Sequence, residues 1–232
     1  MSTINIQPLD VIREAHWSFR DSAPTWRGHV SGTSSTFDPF PAYAHNLEAV
    51  RAAVAHVTDC WAPAWDVDLY VANREEVGRS NGYSNVWMGG HYVNGEWTVD
   101  PPRGLIVMSG KRIPIHPAMT RYLVAHEYGH NVEWMLNIAR GAKNATDEAL
   151  IREYAEIRGL PEETLHHGEG GTWHDSASEV FACDFRVLVC QSEVEFWPHP
   201  TVPRPEGIPA ISEWWLQARS LHSSGLVAVA AE

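Results

Sequence analysis

"VAHEYGHNVEW", Val124 to Trp134, sets two histidines four residues apart with a glutamate directly after the first. On an α-helix, positions i and i+4 lie one turn apart on one face, so His126 and His130 can aim two imidazoles at one ion with Glu127 beside them. In a chain holding 13 histidines, an H-E-x-x-H match arises by chance about once in twenty such sequences, so the surroundings must decide. The flanks read as a buried helix: "YLVA" precedes the motif, and Val132, Trp134, Met135 and Leu136 follow it. Two imidazoles and a carboxylate are costly there unless they are paired or bound to metal. Core histidines that simply meet hydrogen-bond partners are the competing reading. The placement favours metal, and zinc suits the donors, since a catalytic zinc site takes three imidazole or carboxylate ligands and keeps a position for water.

Outward from the motif, the chain divides by texture. The first sixty residues read as helix, loop, helix: "DVIREAHWSF", then "SGTSSTFDPFP", then "AYAHNLEAVRAAVAHVTDCW" with apolar residues at spacings of three and four. "DVDLYVA" alternates as a strand does, and "NVWMGGHYVNGEWTVD" has an Asn94-Gly95 turn between strand-like runs, a strong hairpin signal. "RGLIVMSG" is a short apolar strand. Helices return at His116-Pro117, which opens a long segment to about Leu136 with proline in the first turn. "TDEALIREYAEIRGL" forms a second, with Thr146 as a cap and Gly159 near its end, and "SASEVFACDFRVLVC" a third after the loop "HHGEGGTW". A proline-punctuated loop, a short helix around "AISEWWLQARS" and a small-residue tail complete the chain. Helices, then a small sheet, then helices make the fold class α+β. The expected organisation is one domain over 1–232, helical over about 1–62, β over about 66–110, with active-site and ligand helices over about 116–192.

A catalytic zinc site needs a third ligand. Position 136, where one metalloprotease family places a histidine, is Leu136. The best candidate is Glu179 in "SASEVFACDFR". Ser176 followed by Glu179 also reads as a capping box, which requires no metal. The sequence here resembles the gluzincin metallopeptidases, which take the third ligand from a glutamate on a later helix. The short "E-x-F-A-x-x-F-R" pattern of their anthrax-lethal-factor-like branch is matched by Glu179, Phe181, Ala182, Phe185 and Arg186. The resemblance covers roughly residues 104 to 190 and implies a zincin-like fold with Zn2+ held by His126, His130 and Glu179. It departs from the branch at two places. The acid usually found one turn after the ligand glutamate is Cys183 here, with Asp184 one residue later as a shifted candidate for orienting a zinc histidine, or as a helix residue meeting Arg186 or solvent. The tyrosine expected before the ligand glutamate is Thr172, which leaves His174 as the oxyanion-stabilising catalytic candidate. Asp175 in "GTWHDS" is a rival third ligand, while His166 and His167 read as exposed.

Composition bounds the rest. A chain of 232 residues, 44% hydrophobic and 20% charged, is globular and long enough for a sizeable core. A net charge of −12 argues against nucleic acid or anionic membrane as partners. Cys60, Cys183 and Cys190, odd in number and irregular in spacing, do not form a disulfide framework, and Cys183 and Cys190 read as helix packing. The first residues read as lacking the basic region and apolar run of a secretory signal, and no apolar run is long enough to span a membrane, so the expected location is the cytoplasm. The expected activity is a zinc-dependent peptidase of peptide or protein substrates, with Glu127 as general base towards a zinc-activated water. "GLIVMS" or "EWTV" would offer the sheet edge along which a peptide pairs. The alternative is an inactive relative that keeps zinc for structure or binds a partner; Glu127 speaks against it, since a structural site has no use for a base. A protein with no metal, in which the motif is accidental, is the third reading.

Overall fold

The computed structural model describes residues 2–6, 43–72, 82–87, 90–109, 117–142, 148–165, 176–191 and 196–229. The fold is α+β, with a small mixed sheet and α-helices. It comprises two compact units, Met1–Glu127 and Tyr128–Glu232, and the division falls inside one continuous helix.

In the first unit, β1 (Ile4–Ile6), β2 (Val67–Ala72), β3 (Gly82–Trp87) and β6 (Arg103–Ser109) form a sheet in the order β1-β2-β6-β3. β1, β2 and β6 run parallel, and β3 closes the row antiparallel to β6, with Gly82 opposite Met108 and Val86 opposite Gly104. "DVDLYVA" was expected to alternate, yet Val67, Asp68, Leu69, Tyr70 and Val71 are all buried. The reason is position: β2 pairs on both edges and is covered on both faces, as strands of parallel sheets usually are. "GLIVMS" is likewise interior, because β6 lies between β2 and β3; it has no edge to offer a peptide. β1 was not foreseen, being only three residues long. The hairpin is where the Asn-Gly signal put it, β4 (Gly90–Val93) against β5 (Glu96–Val99), with Asn94 at φ 52° and Gly95 at φ 88°. Those positive angles are what a two-residue type I′ turn requires. Helix α1 (Tyr43–Cys60) buries Val50, Ala53 and Val57, spaced as one helical face, and Trp61 follows them into the core. The predicted helix "DVIREAHWSF" and the loop after it lie outside the described residues.

Helix α2 (Pro117–Ala139) starts on proline, whose missing amide hydrogen is no loss in a first turn, and crosses into the second unit. There α3 (Ala149–Arg158), α4 (Ala177–Asp184) and α5 (Pro209–Val229) follow. Gly159 ends α3 in the left-handed conformation at φ 70° and hands its amide to Ala155 and Glu156 carbonyls. Thr146 lies outside the described residues, and α3 begins behind Glu148 with no side-chain cap. Past Asp184 the helix widens into a π-turn, Phe185–Val189, which ends the segment at Cys190. Cys183 and Cys190 are buried thiols outside any disulfide. α5 runs well beyond "AISEWWLQARS", to Val229, into the expected small-residue tail. The aromatic core of this unit joins α3, α4 and α5: Tyr154 meets Phe181 at 4.9 Å and Trp214 at 5.0 Å, and Phe181 meets Trp215 at 4.8 Å. Edge-on and tilted contacts of this kind add to area burial.

Candidate metal centre

His126, Glu127 and His130 fall in the middle turns of α2, far from either fraying end. Glu179 stands in the first turn of α4, which Ser176 caps by accepting the Glu179 amide at 3.4 Å. The cap therefore leaves the Glu179 carboxylate available. Ser176 uses the backbone of Glu179, while the Glu179 carboxylate Oε1 faces His130 Nε2 at 3.3 Å. One donor atom from each of His126, His130 and Glu179 lies within 4.8 Å of the others, so the three could hold a metal ion. The donor set, two imidazole nitrogens and one carboxylate oxygen, is of the kind that divalent metals take. The His130–Glu179 spacing fits too, because donors about 2.1 Å from a tetrahedral ion stand roughly 3.4 Å apart.

Both histidines have a ring or hydroxyl neighbour on the side away from that cluster. The ring of Tyr122, one turn before His126, lies parallel to the imidazole with centroids 6.5 Å apart. His130 Nδ1 is 3.2 Å from Ser178 Oγ, and that hydroxyl donates to Glu133 Oε2 at 2.5 Å. Burial pushes the Glu133 carboxyl above the usual range, with the Glu179 charge adding to it, while His130 and the Ser178 hydroxyl pull the other way. Neither Ser178 nor Glu133 was singled out in the sequence. The signal available was spacing: Glu133 follows His130 by three, on the same helix face, and Ser178 directly precedes Glu179.

Two glycines set the distances. A Cβ on Gly129 would fall 2.9 Å from the Cα of Ala182 and 3.1 Å from its carbonyl oxygen, so α2 and α4 approach where neither presents bulk. That contact lies one residue before His130 and one turn past Glu179. In the first unit, a Cβ on Gly82 would fall 2.6 Å from Glu127 Cδ and 2.8 Å from its Cγ, so the buried Glu127 side chain rests against the bare backbone of β3. The neighbouring Tyr83 phenol is pushed up to about 12, by burial first and also by the Glu127 charge, against a lowering hydrogen bond from Asn85.

Asp184 has neither role considered for it. It is fully buried, bound by Arg158 Nε at 2.8 Å and by the Tyr154 hydroxyl, and so ties α4 to α3. Arg186, its supposed partner, donates instead to the Phe196 carbonyl at 3.0 Å. His174, Thr172, Asp175, His166 and His167 lie outside the described residues. Among the described residues, no helix is long and apolar enough to cross a membrane. Compared with protein-family models, curated proteins and solved structures, the chain matches none.

Proposed function

We propose that this chain is a zinc-dependent peptidase of the gluzincin type on a zincin-like fold, with His126, His130 and Glu179 as ligands. The observation that carries the reading is the convergence of those three donors within 4.8 Å, reached by residues 49 positions apart in the chain (179 − 130). A chance match to a five-residue pattern gives no reason for a third donor of the right chemistry to arrive from another helix. Zinc bound there supplies a Lewis acid and a water acidified towards neutral pH.

The rest of the chemistry belongs to the chain. Glu127 adjoins the first ligand in sequence, and its carboxylate is braced against Gly82 rather than turned to solvent. A general base needs that fixed position, because it must take a proton from water and return it to the departing amine. β3 is the terminal strand of its sheet among the described residues, and Glu127 touches it at Gly82. A substrate peptide would pair along that strand with its scissile bond beside the base. His174 remains the proposed partner for the developing oxyanion.

The experiment is a metal analysis of protein purified without an affinity tag, joined to digestion of a mixed peptide library by wild type and Glu127→Gln. The expected result is one zinc per chain in both proteins, with cleavage by wild type alone, since the substitution removes a base and no ligand. Turnover by zinc-loaded Glu127→Gln would refute the mechanism, and a wild-type chain without affinity for metal would refute the function.

A further inference from the structure

The two ring nitrogens of His130 are served by consecutive residues of one helical turn, Ser178 at Nδ1 and Glu179 at Nε2. The first turn of α4 thus straddles the ring. A serine hydroxyl has one hydrogen to donate, and at 2.5 Å it goes to Glu133 Oε2. Oγ is left presenting a lone pair to Nδ1, 3.2 Å away, so the imidazole hydrogen belongs on Nδ1. The lone pair of the ring then sits on Nε2, the nitrogen that faces Glu179. With the opposite tautomer, Nδ1 and Oγ would meet lone pair to lone pair; with this one Nε2 and Glu179 Oε1 do so, a contact that a cation held between them resolves.

We propose that Ser178 and Glu133 form a positioning relay that sets the tautomer and ring plane of His130, with Glu133 acting through the Ser178 hydroxyl. The relay rests on the metal-peptidase reading of the same site and adds to it two residues that touch neither metal nor substrate. Its geometry uses local spacing on both sides: Glu133 stands three residues after His130 on α2, and Ser178 one before Glu179 on α4. Partners of this kind orient a metal-binding imidazole, and their loss typically costs 10–100-fold in metal affinity.

The test titrates metal-stripped full chain with Zn2+ against a chromophoric chelator, in wild type, Ser178→Ala, Ser178→Thr, Glu133→Ala and the Ser178→Ala/Glu133→Ala double variant. Ser178→Ala is expected to weaken zinc about 10–100-fold, and Ser178→Thr, which keeps a hydroxyl, to bind close to wild type. Glu133→Ala should weaken binding alone yet add nothing in the Ser178→Ala background, because its effect passes through a hydroxyl no longer there. A purely structural role would give losses that add. In the zinc-loaded proteins, the His130 Nδ1 proton should be protected and resolved by nitrogen-edited NMR in wild type and exchange-broadened in Ser178→Ala. Additive losses, or Ser178→Ala binding as wild type does, overturn the relay and leave the metal reading standing. If Ser178→Ala does not fold, Glu133→Ala against Ser178→Thr decides: equal, unaltered affinities overturn the relay. A wild-type chain that binds no zinc overturns the functional reading and the relay with it.

Discussion

Gly129→Ala offers the sharpest perturbation of the candidate site, because it adds one methyl group to a position within the motif that contributes no ligand. The added Cβ would stand 2.9 Å from Ala182 Cα, 3.1 Å from its oxygen and 3.2 Å from its Cβ. Carbon atoms rest at about 3.5–4.0 Å, so α2 and α4 must part by roughly 0.6 Å or more. The obstacle is helix backbone, and no rotamer change removes it. Two energies oppose each other: alanine in a helix interior gains about 0.8–1 kcal/mol over glycine, and overpacking costs about 1–3 kcal/mol. The net change is thus about 0–2 kcal/mol of destabilisation, and the chain stays folded. The site fares worse. Ala182 is three residues past Glu179 on one rigid helix, so the displacement carries the carboxylate away from His130, against a tolerance of about 0.2 Å in metal–ligand distances. The assay pairs urea unfolding of the metal-free chain with zinc titration. Metal affinity should fall by orders of magnitude while the unfolding midpoint moves little. Wild-type affinity in Gly129→Ala would refute the claim that this close approach sets the ligand spacing.

Gly82→Ala should act on the proposed base: the three atoms nearest its Cβ all belong to Glu127, so zinc is kept and peptide cleavage falls to the level of Glu127→Gln. Full activity in that variant would sink the bracing role of β3. Chelation of the wild-type protein should lower its melting temperature, since metal present at a hundred times Kd contributes about 2.7 kcal/mol, or roughly 5–10 °C for a chain of this length. Glu179→Ala should melt near the chelated value with or without zinc, and a chelation shift that survives in this variant would assign the third ligand elsewhere. Burial raises Asp184 from the ordinary 3.8 to about 6, despite the lowering effects of Arg158 and Tyr154. The folded chain then holds this proton more tightly than the unfolded one, so the contribution of the group is greatest below about pH 4 and declines as pH rises to about 6. Unfolding free energies of wild type and Asp184→Asn, measured across that range, should change in their difference with this sign; a constant difference would refute it.

What the sequence made legible follows the range of the interactions. The motif helix, the Asn94-Gly95 turn, Ser176 as a helix cap and Gly159 as a helix stop are each decided within a few residues, and each stands as read. Glu179 could be named because burial of the residues after it and a family-like pattern point at one acid. The burial of β2 on both faces and the interior place of β6 depend on partners far along the chain, and alternation within the strand does not report them. Asp184 is the instructive error. Its neighbours in sequence suggested Arg186 or a zinc histidine, whereas its partners Arg158 and Tyr154 come from α3, 26 and 30 residues away.

The same distinction explains why the pattern H-E-x-x-H is a weak signal and the assembled centre a stronger one. Three residues of the pattern bear chemistry, but a helix presents them to nothing in particular unless its other positions let partners come close. Here Tyr128, the first unspecified position, is fully buried and meets the ring of Phe185, the residue that opens the π-turn after α4, at 6.0 Å. Gly129, the second, admits the backbone of α4 itself. One position supplies adhesion and the other supplies clearance, and both are directed at the helix that carries Glu179 and Ser178. An accidental motif would leave these two positions free to serve any packing need. Their shared target ties the motif to the helix that carries its proposed third ligand, and a Tyr128→Ala variant should accordingly loosen zinc binding along with the core, whereas Tyr128→Phe, which keeps the ring, should leave the affinity unchanged.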